Sequence, residues 1–167
     1  DYAEARRLLA EAGYPGGRGF PRVSYLYNTR ESHQIIAAEL QQRWKRELGV
    51  EVELRNTEWK VFLQRKRDGD YQIARGGWIG DYLDPMTFLE TFKTESGNNN
   101  SQWSCARYDD LLERSKRESD PARRMGLLRE AEKTMMDEMP LAPLYFYTEP
   151  HMEKPGVSGI LRAPLGY

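Results

Sequence analysis

The sequence contains few of the residues that build metal sites, disulfides or covalent catalytic centres. Its 167 residues include one cysteine, Cys105, and two histidines, His33 and His151. A single cysteine excludes an internal disulfide and a zinc site with several cysteine ligands. Cys105 has no histidine nearby, and no Gly-x-Ser-x-Gly motif is present. Nucleophilic catalysis is therefore not indicated, and neither a metal nor a cofactor is expected.

The chain also lacks a strong net charge and a long hydrophobic run. Lys and Arg total 25 against 26 Asp and Glu, a formal net charge of −1. This balance excludes the basic surface of nucleic-acid-binding proteins, so no nucleic-acid partner is expected. No stretch approaches the roughly 20 apolar residues that span a bilayer. The sequence opens at Asp1 inside a helical pattern, without an initiator Met, and we expect a fragment or a processed domain that lacks its signal sequence.

Hydrophobic periodicity predicts an α/β domain with a layered sheet flanked by helices. In the first half, strands are predicted at residues 23–28, 50–55 and 71–77, and helices at residues 1–12, 31–48 and 58–67. In the second half, helices are predicted at residues 86–92, 108–117 and 121–140, and a final strand at residues 142–147. A polar loop with three consecutive asparagines separates the first two of these helices.

The segment ARGGWIGDYLD, residues 74–84, is the most unusual part of the chain. Three glycines surround Trp78, and Asp81 and Asp84 follow. A phosphate-binding loop would need a Lys-Ser/Thr pair or a helix directly after the glycines. Neither follows, and the carboxylates would repel phosphate, so a nucleotide site is not indicated.

The residue types alone allow more than one role for the carboxylates and tryptophans in and near this segment. Asp81 and Asp84 could be a hydrolytic carboxylate pair or ordinary turn residues. Trp59 and Trp78 could belong to the core, although the Gly-Gly before Trp78 favours a backbone that is approached closely. A strand end beside a carboxylate suits an extended ligand with a cationic end. The basic run at residues 65–67 is typical of a solvated helix face.

Several segments together resemble a known family. They are Asn56–Leu63 (NTEWKVFL), Asp70–Pro85 (DYQIARGGWIGDYLDP), Pro143–Tyr147 (PLYFY) and Lys154-Pro155. In their order and spacing they resemble the oligopeptide-binding branch of the bacterial extracellular solute-binding proteins, family 5, which serve ABC-type peptide importers. The resemblance implies a periplasmic-binding-protein-like fold, a periplasmic or extracytoplasmic location, and no enzymatic activity.

The resemblance also implies a domain organisation and a set of partners. Family members are several times longer and have two lobes around a peptide cleft. Residues 1–140 would form the C-terminal lobe, and residues 141–167 would return toward the N-terminal lobe of the same parent chain. The implied partners are an oligopeptide, the membrane permease of the importer and that N-terminal lobe.

Site residues follow from the same resemblance, and none is catalytic. Asp81 would pair with the terminal ammonium of the peptide, and Arg75 through Gly77 would offer backbone hydrogen bonds. Trp78 and Trp59 would wall side-chain pockets, Tyr147 would face the ligand, and Lys66 would help to bind the peptide carboxylate, where an Arg is the expected type. Two alternatives remain: the same family with another solute (a dipeptide, a nickel chelate, haem or an oligosaccharide), or a carboxylate-dependent hydrolase.

Overall fold

The computed structural model describes residues 1–148, 150, 152–157 and 159–160. They divide into two compact units, the first ending at Gly77 and the second beginning at Trp78. Each unit has a hydrophobic cluster of its own. None of the helices in these residues is long and apolar enough to cross a membrane.

The first unit is a small parallel sheet with helices between its strands, which confirms the α/β prediction. Its elements are α1 (Tyr2–Glu11), a 3-10 turn (Pro15–Gly17), β1 (Val23–Asn28), α2 (Glu31–Leu48), β2 (Val52–Thr57), α3 (Trp59–Asp68) and β3 (Ile73–Ala74). The strand order is β2-β1-β3, and both neighbours run parallel to β1.

Helix ends in this unit follow local chemistry. The Asp1 side chain accepts hydrogen bonds from the first-turn amides of α1, and the Glu58 side chain does the same for α3, which satisfies amides that have no partner within the helix. Gly49 ends α2 with a left-handed φ of 69°, a conformation that costs glycine nothing. A Cβ at Gly17 would lie 2.4 Å from the Gly49 carbonyl oxygen, so this loop requires glycine where the two backbones touch.

The central strand β1 is buried on both faces. Tyr25, Leu26 and Tyr27 are all buried, and successive side chains of a strand point to opposite faces. Helix α2 packs against Tyr25, whose ring lies edge-on to Trp44 with 6.3 Å between centroids, and α3 also contacts β1. In β2, by contrast, only one face is covered, as its alternating pattern predicts.

Two predicted strands are corrected by the structure. The strand predicted at residues 71–77 is only Ile73–Ala74, because it lies at the sheet edge with a neighbour on one side and runs into glycines that weaken strands. The strand predicted at residues 142–147 does not form, and the sheet in the described residues consists of β2, β1 and β3 alone. A strand needs a hydrogen-bonded neighbour, and Phe146 is instead 97% exposed.

In the described residues, the second unit contains helices and irregular segments. They are α4 (Met86–Leu89), a 3-10 turn (Glu90–Phe92), α5 (Ala106–Arg117) and α6 (Pro121–Glu138). Asp120 caps α6 and Pro121 occupies its first position, as the sequence predicts. The core gathers residues from α4, α5 and α6, and within it the Tyr108 hydroxyl donates a 2.6 Å hydrogen bond to the Leu89 carbonyl oxygen.

Candidate functional site

The carboxyl ends of the three parallel strands meet at one edge of the sheet in the first unit. Asn28 ends β1, Thr57 ends β2, and Arg75 follows β3. In open α/β sheets, ligands bind outside this edge. The sheet topology therefore places the candidate site of this unit here, and Trp59 begins α3 directly after it.

One face of α3 brings Trp59 and Lys66 together around Phe62. The Trp59 ring stacks on Phe62 with 5.7 Å between centroids, and Lys66 Nζ lies 5.5 Å from the Phe62 centroid. Trp59 is 49% exposed, so it does not belong to the core. Burial lowers the pKa of Lys66, and the positive charge of Arg75 lowers it further. The Phe62 ring thus supports both an exposed aromatic surface and a half-buried cation.

Arg75 leaves the sheet at the same edge. Its backbone N–H donates a 2.8 Å hydrogen bond to the Leu26 carbonyl oxygen, and its Nη1 lies 3.5 Å from Asn28 Oδ1. The prediction that residues 75–77 form a strand is wrong, because the chain departs from β1 after this bond. Gly76 and Gly77 are exposed, and a Cβ at Gly76 would meet nothing within 4 Å. The fold itself therefore does not require glycine at Gly76.

His33 is a residue at this edge that sequence reasoning missed. It lies in the first turn of α2 and is 5% exposed, and neither ring nitrogen makes a hydrogen bond of ordinary geometry. Burial lowers the pKa of His33, and the charge of Arg75 contributes in the same direction. Its position at the start of the helix after a central strand is the signal that could have identified it.

The free energy of unfolding is expected to depend on pH through His33. Because its folded-state pKa is lowered from the unfolded value of about 6.5, the unfolded chain binds more protons in this range. Stability is full above pH ~6.5 and decreases as the pH falls toward the lowered folded-state pKa. Urea titrations at pH 7.5 and 5.5 should show that the free energy of unfolding decreases more for the wild type than for His33→Gln. Equal losses would contradict this role of His33.

In the second unit, the loop of Asp81 is attached to the helix that follows it. The Asp81 N–H donates a 2.9 Å hydrogen bond to Thr87 Oγ1. Gly80 is buried, and a Cβ there would lie 3.1 Å from Thr87 Cγ2. Asp81 and Trp78 are themselves exposed. The loop thus presents an aromatic ring and a carboxylate on an anchored backbone.

Asp84, the second carboxylate of the segment, has a structural role. It makes a bidentate ion pair with Arg124 of α6 at 2.7 and 2.9 Å and accepts a 2.9 Å hydrogen bond from the Met86 N–H. The hydrogen bond from Arg124 lowers the pKa of Asp84, whereas a general acid near neutral pH needs a raised pKa. The geometry therefore does not favour Asp81 and Asp84 as a hydrolytic pair.

Tyr147 lies in the irregular segment of residues 142–148, with its ring edge-on to Tyr145 at 5.3 Å between centroids. The predicted site residues thus fall into two groups in two compact units. The first unit contains Trp59, Lys66, Arg75 and Gly77, and the second contains Trp78, Asp81 and Tyr147. In the first group the structure places Trp59 and Arg75 at one edge of the sheet, and Lys66 on the same face of α3 as Trp59.

Comparison with protein families identifies the family of this chain. The model of the bacterial extracellular solute-binding proteins, family 5 (Middle), matches residues 1–100, more than half of the chain. The chain belongs to this family. The fold class is accordingly that of the periplasmic binding proteins.

Individual relatives match nearly the whole chain. The oligopeptide-binding protein OppA of Bacillus subtilis is 40% identical over 159 residues, which are 95% of this chain and 29% of that protein. The probable deoxycholate-binding periplasmic protein YgiS of Escherichia coli is 36% identical over 166 residues, 99% of this chain and 31% of that protein. The solved murein tripeptide binding protein MppA of Escherichia coli superposes with a TM-score of 0.83 at 37% identity, over 87% of this chain and 28% of that one.

The chain therefore spans less than a third of the length of these relatives. Within its described residues, no group of three or more His, Cys, Asp or Glu side chains is placed to hold a metal ion.

Proposed function

We propose that this chain is part of the peptide-capturing component of an ABC-type oligopeptide importer. The observation that carries the proposal is the exposed, backbone-anchored Asp81, in a family member that is 40% identical to an oligopeptide-binding protein. Such a component binds and releases its solute unchanged. It acts outside the cytoplasmic membrane, delivers the peptide to the membrane permease, and has no enzymatic activity.

Asp81 would receive the terminal ammonium of the peptide. An ammonium donates up to three hydrogen bonds, and a carboxylate offers two acceptor oxygens. The ion pair gains most when water is excluded and other donors complete its hydrogen bonding. A peptide enclosed between two lobes provides that exclusion, and ligand contacts in the closed state would favour closure.

The peptide backbone would lie along Arg75, Gly76 and Gly77. These residues follow an edge strand, and the two glycines are exposed. Main-chain hydrogen bonds to such a segment depend little on the side chains of the ligand. The exposed rings of Trp59, Trp78 and Tyr147 would contact those side chains as pocket walls.

Lys66 and Arg75 would bind the carboxylate end of the peptide. In addition to burial, the charge of Arg75 lowers the pKa of Lys66, and it also lowers the pKa of His33. A bound anion would relieve this repulsion between like charges. Lys66 would act as a point charge, without the bidentate geometry of an Arg.

The remaining parts of the proposal concern domain organisation. Residues 1–140 would belong to the C-terminal lobe, and residues 141–167 would return toward the N-terminal lobe. The exposed apolar side chains of residues 144–147 support this, since an exposed apolar patch is typical of a surface that another part of a protein covers. Part of the returning segment, residues 161–167 among it, lies outside the described residues.

Another solute is the second candidate, because the similar YgiS protein is named as a probable deoxycholate-binding protein. Asp81 discriminates between peptides with a free amine and anionic solutes without one. An anionic solute without an amine gains nothing from a carboxylate at this position and is repelled by it.

Peptide retention tests the proposal. The full-length protein, expressed from its own gene, is incubated with a mixture of tri- to pentapeptides, filtered, and denatured to release what it holds. Mass spectrometry should find peptides retained at about one per chain and unchanged in mass. Shortened peptides would indicate a hydrolase, and no retention together with binding of deoxycholate would favour the second candidate.

A further inference from the structure

Thr87 is a buried residue whose hydroxyl group faces the loop of Asp81. We propose that it is a positioning residue for Asp81. By accepting a hydrogen bond from the Asp81 N–H, it fixes the backbone from which the carboxylate reaches the peptide ammonium. This inference rests on the proposed function and adds a residue that determines how strongly the protein prefers ligands with a free amine.

The contacts of Thr87 are concentrated on this loop. The side chain is 1% exposed, and its Oγ1 accepts from Asp81 at 2.9 Å. Its own N–H donates to the Asp84 carbonyl oxygen at 3.2 Å. The same residue thus joins the beginning and the end of the turn at residues 81–84, so a shift of Asp81 would require breaking a bond to a buried group.

The rest of the loop is attached to the helical elements in the same way. Asp84 is paired with Arg124, and the Tyr82 hydroxyl donates to Glu90 Oε1. Neither bond involves Asp81 itself. Thr87 therefore acts directly at the residue proposed to bind the ammonium.

Fixing this backbone has a physical consequence for binding. Only two side-chain torsions separate the Asp81 backbone from its carboxylate, so an anchored backbone leaves few conformations to lose when the ammonium binds. The hydroxyl of Thr87 provides this anchor, whereas its methyl group packs near Gly80. The two groups can be removed separately.

The test compares Thr87→Val, which keeps the methyl packing and removes the hydroxyl, with Thr87→Ser, which keeps the hydroxyl. In the full-length protein, calorimetry measures the dissociation constants of trialanine and N-acetyl-trialanine. The ratio of the acetylated to the free-amine constant should fall about three- to tenfold in Thr87→Val, the effect of losing one hydrogen bond of ordinary strength. It should stay near the wild-type ratio in Thr87→Ser.

Each outcome decides the inference. An unchanged ratio in Thr87→Val, or an equal fall in Thr87→Val and Thr87→Ser, would overturn it, because the hydroxyl would then not matter. If Thr87→Val does not fold, Thr87→Ala and Thr87→Ser, which differ only in the hydroxyl, give the same comparison. An unchanged ratio in Asp81→Asn would instead reject the ammonium pair of the proposed function, so the two failures are distinguishable.

Discussion

Replacement of Asp81 by Asn is expected to weaken binding of a free-amine peptide by about 2–5 kcal/mol, the usual cost of removing one partner of a buried charge pair. This corresponds to a roughly thirtyfold to several-thousandfold increase in the dissociation constant. The amide keeps the shape of the side chain and removes the charge that the ammonium needs. Isothermal titration of the full-length protein with trialanine measures the effect.

The matched control for this variant is Asp110→Asn. Asp110 lies on α5 and makes an exposed ion pair with Arg114 four residues later, so its replacement should leave peptide affinity unchanged. Equal affinity of wild type and Asp81→Asn for trialanine would show that this carboxylate does not bind the ammonium.

Replacement of Leu112 by Ala is expected to lower the free energy of unfolding by about 2–5 kcal/mol, through lost burial and the cavity left behind. Leu112 is 0% exposed in the core of the second unit, which also contains Tyr108, Leu128 and Met135. Urea unfolding followed by circular dichroism measures the loss.

Leu83→Ala is the control, because the same chemical change is made at a side chain that is 72% exposed. Its effect should stay within about 0.5 kcal/mol. A loss for Leu112→Ala as small as that for Leu83→Ala would mean that the helices of the second unit do not pack around this residue.

Local chemistry was sufficient to predict most helices. The bounds of α2 agree with the prediction, because an apolar stripe with a four-residue repeat runs between polar Glu31 and the terminating Gly49. Asp120 and Pro121 define the start of α6 in the same way. In these helices the signal lies within the element, so no distant partner is needed to interpret it.

Strands depend on partners that the local sequence does not contain. The apolar pattern at residues 142–147 predicts a strand, as that of β1 does. In the structure, β1 lies between two neighbouring strands, whereas residues 142–147 are irregular. The shortness of β3 has the same cause, since this strand pairs with β1 on one side only. Pairing, and with it strand length, is decided by tertiary structure.

The sequence predicts proximity within the candidate site where the residues lie on one helix. Trp59 and Lys66 are seven residues apart on one helix, which puts them on one face. His33 was missed because its proximity to Arg75 depends on strand order. The distinct role of Asp84 was also hidden, because its partner Arg124 is 40 residues away in the chain.

Capture of the peptide ammonium is tested most directly by a calorimetric titration of the full-length wild-type protein with trialanine and with N-acetyl-trialanine. We expect one trialanine bound per chain and a dissociation constant at least thirtyfold higher for the acetylated peptide, which lacks the ammonium. Equal binding of the two peptides, or no binding of either, would contradict it.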